Sequence, residues 1–454
     1  MKFLRIASCL VLFVAGFSPA LAADRLSPSV RALVSADEPL KVAVDRGFAV
    51  RDGRVQVVVL ATQAGVEHVE RWLTDRGARF VFAYGDRIQA FVPPDLVAEL
   101  EGRADVLEVE RPLYARPPEP VPPAAAARPK LLAVTSEGVE PINVPAWHAE
   151  GFAGEGLKIG VIDVEFGGWD DLLGVELPPA GRTTYRAFGG SSAAADQVHG
   201  TACAEIVHDV APDADLFLAH IRTLGDFYAS LDWMASEGVD VVTMSVGWFG
   251  AGPGDGTGNS ADRVNAFVAA ADALFFTSAG NERRSHWQGA SADADADGWV
   301  DFEPGDNLNE LVSTMAADDR VAVSMVWSDW DSPSSDYSLH LFRLDGTEWV
   351  EVAVSDRPQT GLSHQTPYEQ ISHTTPDGGL FAVRIGRDQV VGTHDLELFS
   401  ADSDLVNRVA SGSLTIPADA ERVMAVAAVN YNSPYTVRSF SSAGPTYGPG
   451  GTIE

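Results

Sequence analysis

Cysteine, positive charge and long apolar runs are all scarce in this 454-residue sequence, and each shortage excludes something. Only two cysteines occur, Cys9 and Cys203. Cys9 falls inside an N-terminal leader, so Cys203 stands alone and no intrachain disulfide is expected in the mature chain. The 32 Lys and Arg residues face 64 Asp and Glu, a net charge of −32. A field of that sign repels nucleic acid and anionic membrane surfaces, so neither is an expected partner. The longest apolar run, Ile6 to Phe17, is shorter than the roughly 17 residues that a spanning helix needs, and no membrane span is expected. Preceded by Lys2 and Arg5 and followed by Ala20-Leu21-Ala22, that run reads as a signal peptide with an A-x-A cleavage site. The expected location is therefore secreted or periplasmic.

A composition of 46% hydrophobic and 21% charged residues is globular, and the length suggests about three domains. Val55 to Leu60 reads as a buried strand, and Val66, Val69, Trp72 and Leu73 fall at helical spacing. Strands at 78–83 and 87–92, a short helix at 95–100 and a strand at 106–110 complete the order βαββαβ, which is ferredoxin-like. The Pro/Ala-rich stretch Arg111 to Lys130 is expected to be extended and exposed, a linker. From Leu157 the pattern alternates strands and helices: LKIGVID, a helix near His199, DLFLAHI, a helix at 227–237, VDVVTMSV, a helix at 261–271 and ALFFTSAG. This predicts a parallel sheet with helices on both faces. Between 283 and 411 the runs VAVSMVWSD, YSLHLFRLDG, WVEVAVSD, GLFAVRIG and HDLELFS alternate apolar and polar residues, which predicts an inserted β-sandwich of jelly-roll type. The α/β pattern resumes with ERVMAVAAVN and SFSSAGPT. The expected division is a leader at 1–22, an N-terminal unit at 23–111, a linker at 112–134, a first α/β part at 135–282, the acidic loop and insert at 283–411, and the α/β remainder at 412–454.

Four short motifs fall in an informative order. Asp163 ends the strand GVID, His199 opens a helix, Ser245-Val246-Gly247 end a later strand, and Asn281 closes TSAGN. Each alone has a bland reading: an Asp or Asn at a strand end is commonly a turn residue, and a His at a helix start is commonly structural. Together they lie at the carboxyl edge of one parallel sheet, where active sites collect. A serine hydroxyl needs a neutral imidazole to take its proton and a carboxylate to orient that imidazole; His199 and Asp163 suit these roles. Asn281 suits the amide donor that stabilises an oxyanion.

GVID, HGTACAEIVHDVAPDADL, DVVTMSVGW and TSAGN together resemble the subtilisin-like (S8) serine peptidase family. The resemblance implies a secreted endopeptidase with an Asp/His/Ser triad, a polypeptide substrate and no organic cofactor. It implies that Ser245, Val246 and Gly247 pair with substrate backbone as an added strand. It also makes the βαββαβ unit an inhibitory propeptide, with Pro117 to Lys130 as the processing region. Sedolisins share the architecture but use a Glu/Asp/Ser set, which His199 and Asn281 contradict. One departure stands out: Val164 and Glu165 follow Asp163, where the family has Ser/Thr and Gly. Glu165 is expected to raise the histidine's pKa, and Asp170 and Asp171 are distant fallback acids. Cys203, one turn after His199, reads as a buried structural thiol, and His208, His220 and His286 as structural or surface residues.

In SADADADGWVDFEPGD, Asp293, Asp295, Asp297 and Asp301 occupy positions 1, 3, 5 and 9 of an EF-hand-like loop, with Gly298 at position 6. Position 12 is Pro304, which leaves Glu303 or Asp306 as substitute. The readings are a calcium site, which would pin the insert beside Asn281, and a solvated acidic loop. The family's serine lies in a G-T-S-x-A-x-P element after the segment matched by Ser441 to Thr446, and no G-T-S triplet occurs in these 454 residues. The expectation is an amino-terminal fragment of an active peptidase, inactive by itself. The alternative is a catalytically inactive, calcium-dependent binding protein.

Overall fold

The computed structural model describes residues 25–116, 134–191, 197–448 and 452–453. The expected leader and most of the expected linker lie outside the described residues.

The N-terminal unit begins with two helices absent from the sequence reading, α1 (Pro28–Val34) and α2 (Pro39–Asp45). Each carries proline in its first turn, where the missing N–H costs nothing. After β1 (Val50–Arg51) follow β2 (Arg54–Ala61), α3 (Val66–Asp75), β3 (Arg79–Tyr84), β4 (Arg87–Val92), α4 (Pro94–Leu100) and β5 (Val106–Glu110). β5, β2, β4 and β3 lie side by side in that order, all antiparallel. Val69 and Leu73 of α3 and Leu96 of α4 share one core with Val57, Val59, Ile88 and Val109, and α1 adds Val30 and Leu33 to it. At roughly 1.5–3 kcal/mol per fully buried aliphatic side chain, α1 is an integral layer of this unit.

A short helix, α5 (Val144–Ala149), leads to a six-stranded sheet. Its members are β6 (Lys158–Asp163), β7 (Thr183–Ala187), β8 (Asp215–His220), β9 (Val241–Met244) and β10 (Leu274–Ser278), with β19 (Val423–Val426) returning much later. All neighbours are parallel, in the order β19-β10-β9-β6-β8-β7. Successive side chains point to opposite faces, and the two faces hold separate cores. Val161, Leu216 and Leu218 pack against Ala204 of α6 (His199–Val210). Ile162, Val242 and Phe275 pack against Phe227, Leu231 and Met234 of α7 (Leu224–Glu237) and Val264 and Phe267 of α8 (Gly258–Ala271). Gly160 permits this: a Cβ there would sit 2.4 Å from Met234 Sδ. The edge strand β19 differs, with Met424 and Val426 exposed and Val429 and Val437 exposed after it. The segment Ser439 to Thr446 forms no regular strand.

Between β10 and β19 in sequence lie two four-stranded antiparallel sheets. One pairs β11 (His286–Ala290), β18 (Asp395–Ser400), β13 (Arg320–Trp327) and β16 (Tyr368–Thr374); the other pairs β12 (Asn309–Glu310), β17 (Phe381–Gln389), β14 (Asp336–Asp345) and β15 (Glu348–Ser355). Their inner faces share a core that includes Met325, Trp327, Leu339, Leu341, Val383, Ile385 and Leu398. β16 escapes sequence reading because Tyr368 and Glu369 are consecutive buried residues and the remainder breaks the alternation.

Candidate active site

The tripeptide His199-Gly200-Thr201 acquires three separate jobs from its position at the start of α6. The imidazole Nδ1 lies 2.8 and 2.9 Å from the two carboxylate oxygens of Asp163, at the end of β6. Asp163 is fully buried, and the Val164 N–H donates to the same carboxylate at 2.8 Å. Gly200 lets the helix come this close, since a Cβ there would meet the Asp163 Cβ at 2.7 Å. Thr201 donates its hydroxyl to the Gly167 carbonyl at 3.1 Å and fixes the loop between strand and helix. The unusual Val164-Glu165 pair is accommodated through main chain: the Glu165 carbonyl accepts from the Gly200 and Thr201 N–H groups at 2.6 and 3.2 Å. It thereby caps a helix whose first residues have no side-chain cap.

Burial pushes the His199 imidazolium down, but the hydrogen bond and charge of Asp163, with the charge of Glu165, more than reverse this. The net pKa lies above the usual histidine value. The donor atoms of Cys203, His199 and Asp163 lie within 4.8 Å of one another. Burial, reinforced by the charge of Asp163, holds the Cys203 thiol above its usual range. The thiol is accordingly neutral. His220 pairs in register with Asp163, and its Nδ1 lies 2.8 Å from Tyr185 Oη. Burial lowers the His220 pKa to about 4, so it contributes no positive charge behind the aspartate at neutral pH. The fallback residues Asp170 and Asp171 are exposed in the turn Trp169–Leu172, outside this constellation.

At the same sheet edge lies an unexpected extended segment. Pro112 is buried and residues 113–116 are half-buried, so the beginning of the expected exposed linker is instead pinned to the parallel sheet's carboxyl edge. The Ala115 N–H donates to the Arg222 carbonyl at 2.7 Å, and the Leu224 N–H to the Leu113 carbonyl at 3.0 Å. On the other side, Arg116 and Gly247 exchange both backbone hydrogen bonds, at 3.1 and 3.3 Å. Leu113 to Arg116 is thus antiparallel to both flanking segments, and that register puts Ser245 on the carboxyl side of Arg116. Leu113 and Ala115 pack against the core of Phe227 and Trp248, whereas the Arg116 guanidinium lies 5.7 Å from the centre of the Phe249 ring. Val246 is buried. Composition concealed this segment: its proline and alanine content reads as linker, while its backbone supplies the ladder.

Asn281 is half-buried just beyond β10. Its loop is held by a residue that the sequence reading passed over, Glu282. Ser442 Oγ donates to the Glu282 carboxyl at 3.0 Å and accepts from the Glu282 N–H at 2.9 Å. Burial raises the Glu282 pKa to about 7 despite the Ser442 hydrogen bond. Gly280 has φ +106°, and a Cβ there would sit 2.9 Å from Ser442 Oγ.

The acidic loop keeps three of its four acids together. Carboxylate oxygens of Asp293, Asp295 and Asp297 lie within 4.8 Å of one another, a set of hard donors that fits calcium. Asp293 also accepts from the Asp297 and Gly298 N–H groups, both at 3.1 Å. Asp301 departs from the expected set: it is largely buried and accepts the Ala294 N–H at 2.9 Å. Backbone hydrogen bonds tie the segment to His394, Ile385 and Arg387 of the two-sheet unit. These anchors belong to that unit and not to the Asn281 loop, because Val300 is drawn into the unit's core.

Residues 154–379 match the model of the subtilase family. Solved structures similar to the chain include the CspB protease of Clostridium perfringens, at 13% identity and a TM-score of 0.45, covering 70% of this chain and 79% of that one. Fervidolysin of Fervidobacterium pennivorans, a keratinolytic enzyme related to subtilisin, is 15% identical with a TM-score of 0.31, covering 52% of this chain and 41% of that one. The epidermin leader peptide processing serine protease of Staphylococcus aureus is 11% identical with a TM-score of 0.32, covering 50% and 61% respectively. No curated protein sequence matches the chain. With the strand-end aspartate, the helix-start histidine and their family match agreeing, this chain, through residues 154–379, belongs to the subtilisin-like serine peptidases.

Proposed function

We propose that the protein is a secreted or periplasmic serine endopeptidase made as a signal-bearing precursor, in which His199 is the general base, Asp163 its orienting acid and Asn281 an oxyanion donor. The observation that carries this reading is the Asp163–His199 hydrogen bond at the sheet edge where an extended peptide segment is already paired with Gly247. A buried carboxylate on Nδ1 leaves Nε2 as the proton acceptor and stabilises the imidazolium formed when a serine attacks. An Asn281 amide aimed at the developing oxyanion would contribute about 10²–10³ in turnover. Extended polypeptide is held through backbone by Ser245 to Gly247 on one side and Arg222 to Leu224 on the other, which recognises chain and not one particular side chain.

In this reading the N-terminal unit is an inhibitory propeptide, and Leu113 to Arg116 occupies the cleft as a substrate strand would. Processing then falls within Pro117 to Lys130, outside the described residues. Asp293, Asp295 and Asp297 hold calcium, which supplies structural charge neutralisation to the acidic loop and takes no part in the chemistry. The nucleophile is a serine that the family's chemistry requires and that the 454 residues do not supply by motif.

The test is hydrolysis of quenched peptides by the gene product carrying a serine element, with and without His199→Ala. The substitution should cost about 10⁵–10⁶ in turnover. Equal cleavage by both forms defeats the reading. A stop codon directly after Glu454 with no serine element beyond it favours the inactive binding protein.

A further inference from the structure

The N-terminal unit touches two different bodies in two different ways. Against the parallel sheet the contact is enclosed and made of hydrogen bonds and aromatic rings. Gln89 of β4 donates to Asp226 Oδ1 at 2.9 Å and accepts from the Thr223 hydroxyl at 2.6 Å, while Tyr84 and Tyr228 meet edge to face with ring centres 5.6 Å apart. Against the two-sheet unit the contact is ionic. Arg357, between β15 and β16, reaches across to β5 of the N-terminal unit. One guanidinium nitrogen binds Glu108, and another lies 3.5 Å from Glu110. Glu108 and Glu110 are two residues apart on one strand and so share a face. Glu110 is also within 3.9 Å of Arg87.

The arginine is prepared for this contact. Its backbone N–H donates to the buried carboxyl of Glu369 on β16 at 2.9 Å, and Ser355 holds the other oxygen of that carboxyl. The side chains of Arg357, Glu108 and Glu110 are only 17%, 13% and 22% exposed, far less than ordinary surface pairs. Arg357 and Glu110 line a cavity of about 960 Å³ where the three bodies meet, so dissolved ions reach the edge of the network. A second contact supports the first, with Arg320 donating to the Val44 carbonyl of α2 at 3.4 Å.

We propose that the two-sheet unit is a second docking face for the N-terminal unit: Arg357, positioned by Glu369, grips Glu108 and Glu110 and retains that unit on the cleft after the chain is cut between 117 and 130. This rests on the reading of the N-terminal unit as an inhibitory propeptide. Removing one member of an enclosed charge pair leaves its partner buried and unpaired, so retention should depend steeply on this contact. The Arg357–Glu110 arm, which lines the cavity, is the part of the network open to salt, so release should respond moderately to ionic strength.

The test uses the full chain with a site-specific protease sequence placed within 117–130. After cutting, retention of the N-terminal unit is followed by size-exclusion chromatography and by dissociation kinetics, at low salt and at about 1 M salt, where the screening length is about 3 Å. The unsubstituted unit should stay bound at low salt and leave faster at high salt. Arg357→Met should weaken binding about 30-fold at low salt and flatten the salt dependence. Glu108→Gln with Glu110→Gln should do the same. Arg357→Lys, which keeps a positive charge facing Glu108 and Glu110, should restore part of the retention that Arg357→Met loses, which separates a lost ion pair from a misfolded unit. Retention indifferent to Arg357→Met, or an Arg357→Lys form that retains no better than Arg357→Met, overturns the clamp alone. Immediate loss of the unsubstituted unit at low salt overturns both the clamp and the inhibitory reading.

Discussion

Asp163 and the Asp293–Asp297 loop are both clusters of carboxylate chemistry, and burial makes them different instruments. Asp163 is fully buried and receives a histidine brought from 36 residues away on α6, besides the N–H of its own neighbour Val164. Its charge therefore acts on one defined partner in a poorly screened setting. Asp295 and Asp297 are exposed and Asp293 half-exposed, and the hydrogen bonds around them are made mostly within the loop. Their charge is open to solvent and to any small cation. Long-range topology makes an orienting acid; local spacing makes a ligand set.

The largest effects should follow from breaking the buried member. His199→Ala is expected to remove about 10⁵–10⁶ in turnover and Asp163→Asn about 10⁴, read as kcat on a peptide substrate with the N-terminal unit displaced. Gly200→Val tests the geometry without touching either charge. Its side chain would be driven into Asp163 Cβ and the Glu165 carbonyl, displacing α6 from the strand end. A misplacement of about 1 Å costs on the order of 10²-fold in rate, and overpacking costs about 1–3 kcal/mol of stability. Gly200→Val with unchanged kcat and melting temperature would show that the close approach is unnecessary.

The buried half of the comparison was legible from sequence because several independent signals agree on it. An apolar strand ending at Asp163, a helix opening at His199 and the order of the remaining strands all specify one sheet edge. The role of Gly200 was not legible, since spacing says nothing about which Cβ would collide. Leu113 to Arg116 escaped notice because hydrogen bonding by backbone leaves no trace in composition. The three-carboxylate part of the acidic loop was visible in its i, i+2, i+4 spacing. Asp301 was not, because hydrophobic burial of Val300 and Phe302 fixes where the ninth position points. α1 and α2 could have been found from Pro28 and Pro39, each at a helix start, with Val30 and Leu33 on one face.

On the exposed side the effect should be moderate and conditional on metal. Calcium at about 100 times its dissociation constant stabilises a protein that binds it only when folded by about 2.7 kcal/mol. A thermal melt of the chain in calcium should therefore lie above one in chelator, and Asp295→Asn should remove most of the difference. The same substitution should leave the His199 titration unchanged, because the loop's anchors lie in the two-sheet unit. A melt indifferent to calcium would leave the loop as a solvated acidic turn.

The smallest expected effect comes from the acid that lies between the two extremes. Glu165 is half-buried, and its charge adds to that of Asp163 in raising the His199 pKa. The imidazole must be neutral to accept a proton, so activity should rise as pH climbs through the folded-state pKa. Glu165→Gln removes one stabilising charge from the imidazolium and should move that rising limb to lower pH. The linked stability has the matching sign. Because the folded pKa is raised, the protonated pair stabilises the fold fully below the unfolded histidine pKa and loses that contribution as pH rises through the folded one. Glu165→Gln should narrow that interval from its upper end. NMR titration of the His199 ring measures the shift directly, and Asp170→Asn, exposed in the turn Trp169–Leu172, is the control that should leave it in place. A ring titration unmoved by Glu165→Gln would assign the whole elevation to Asp163, making the contrast between buried and exposed carboxylates sharper still.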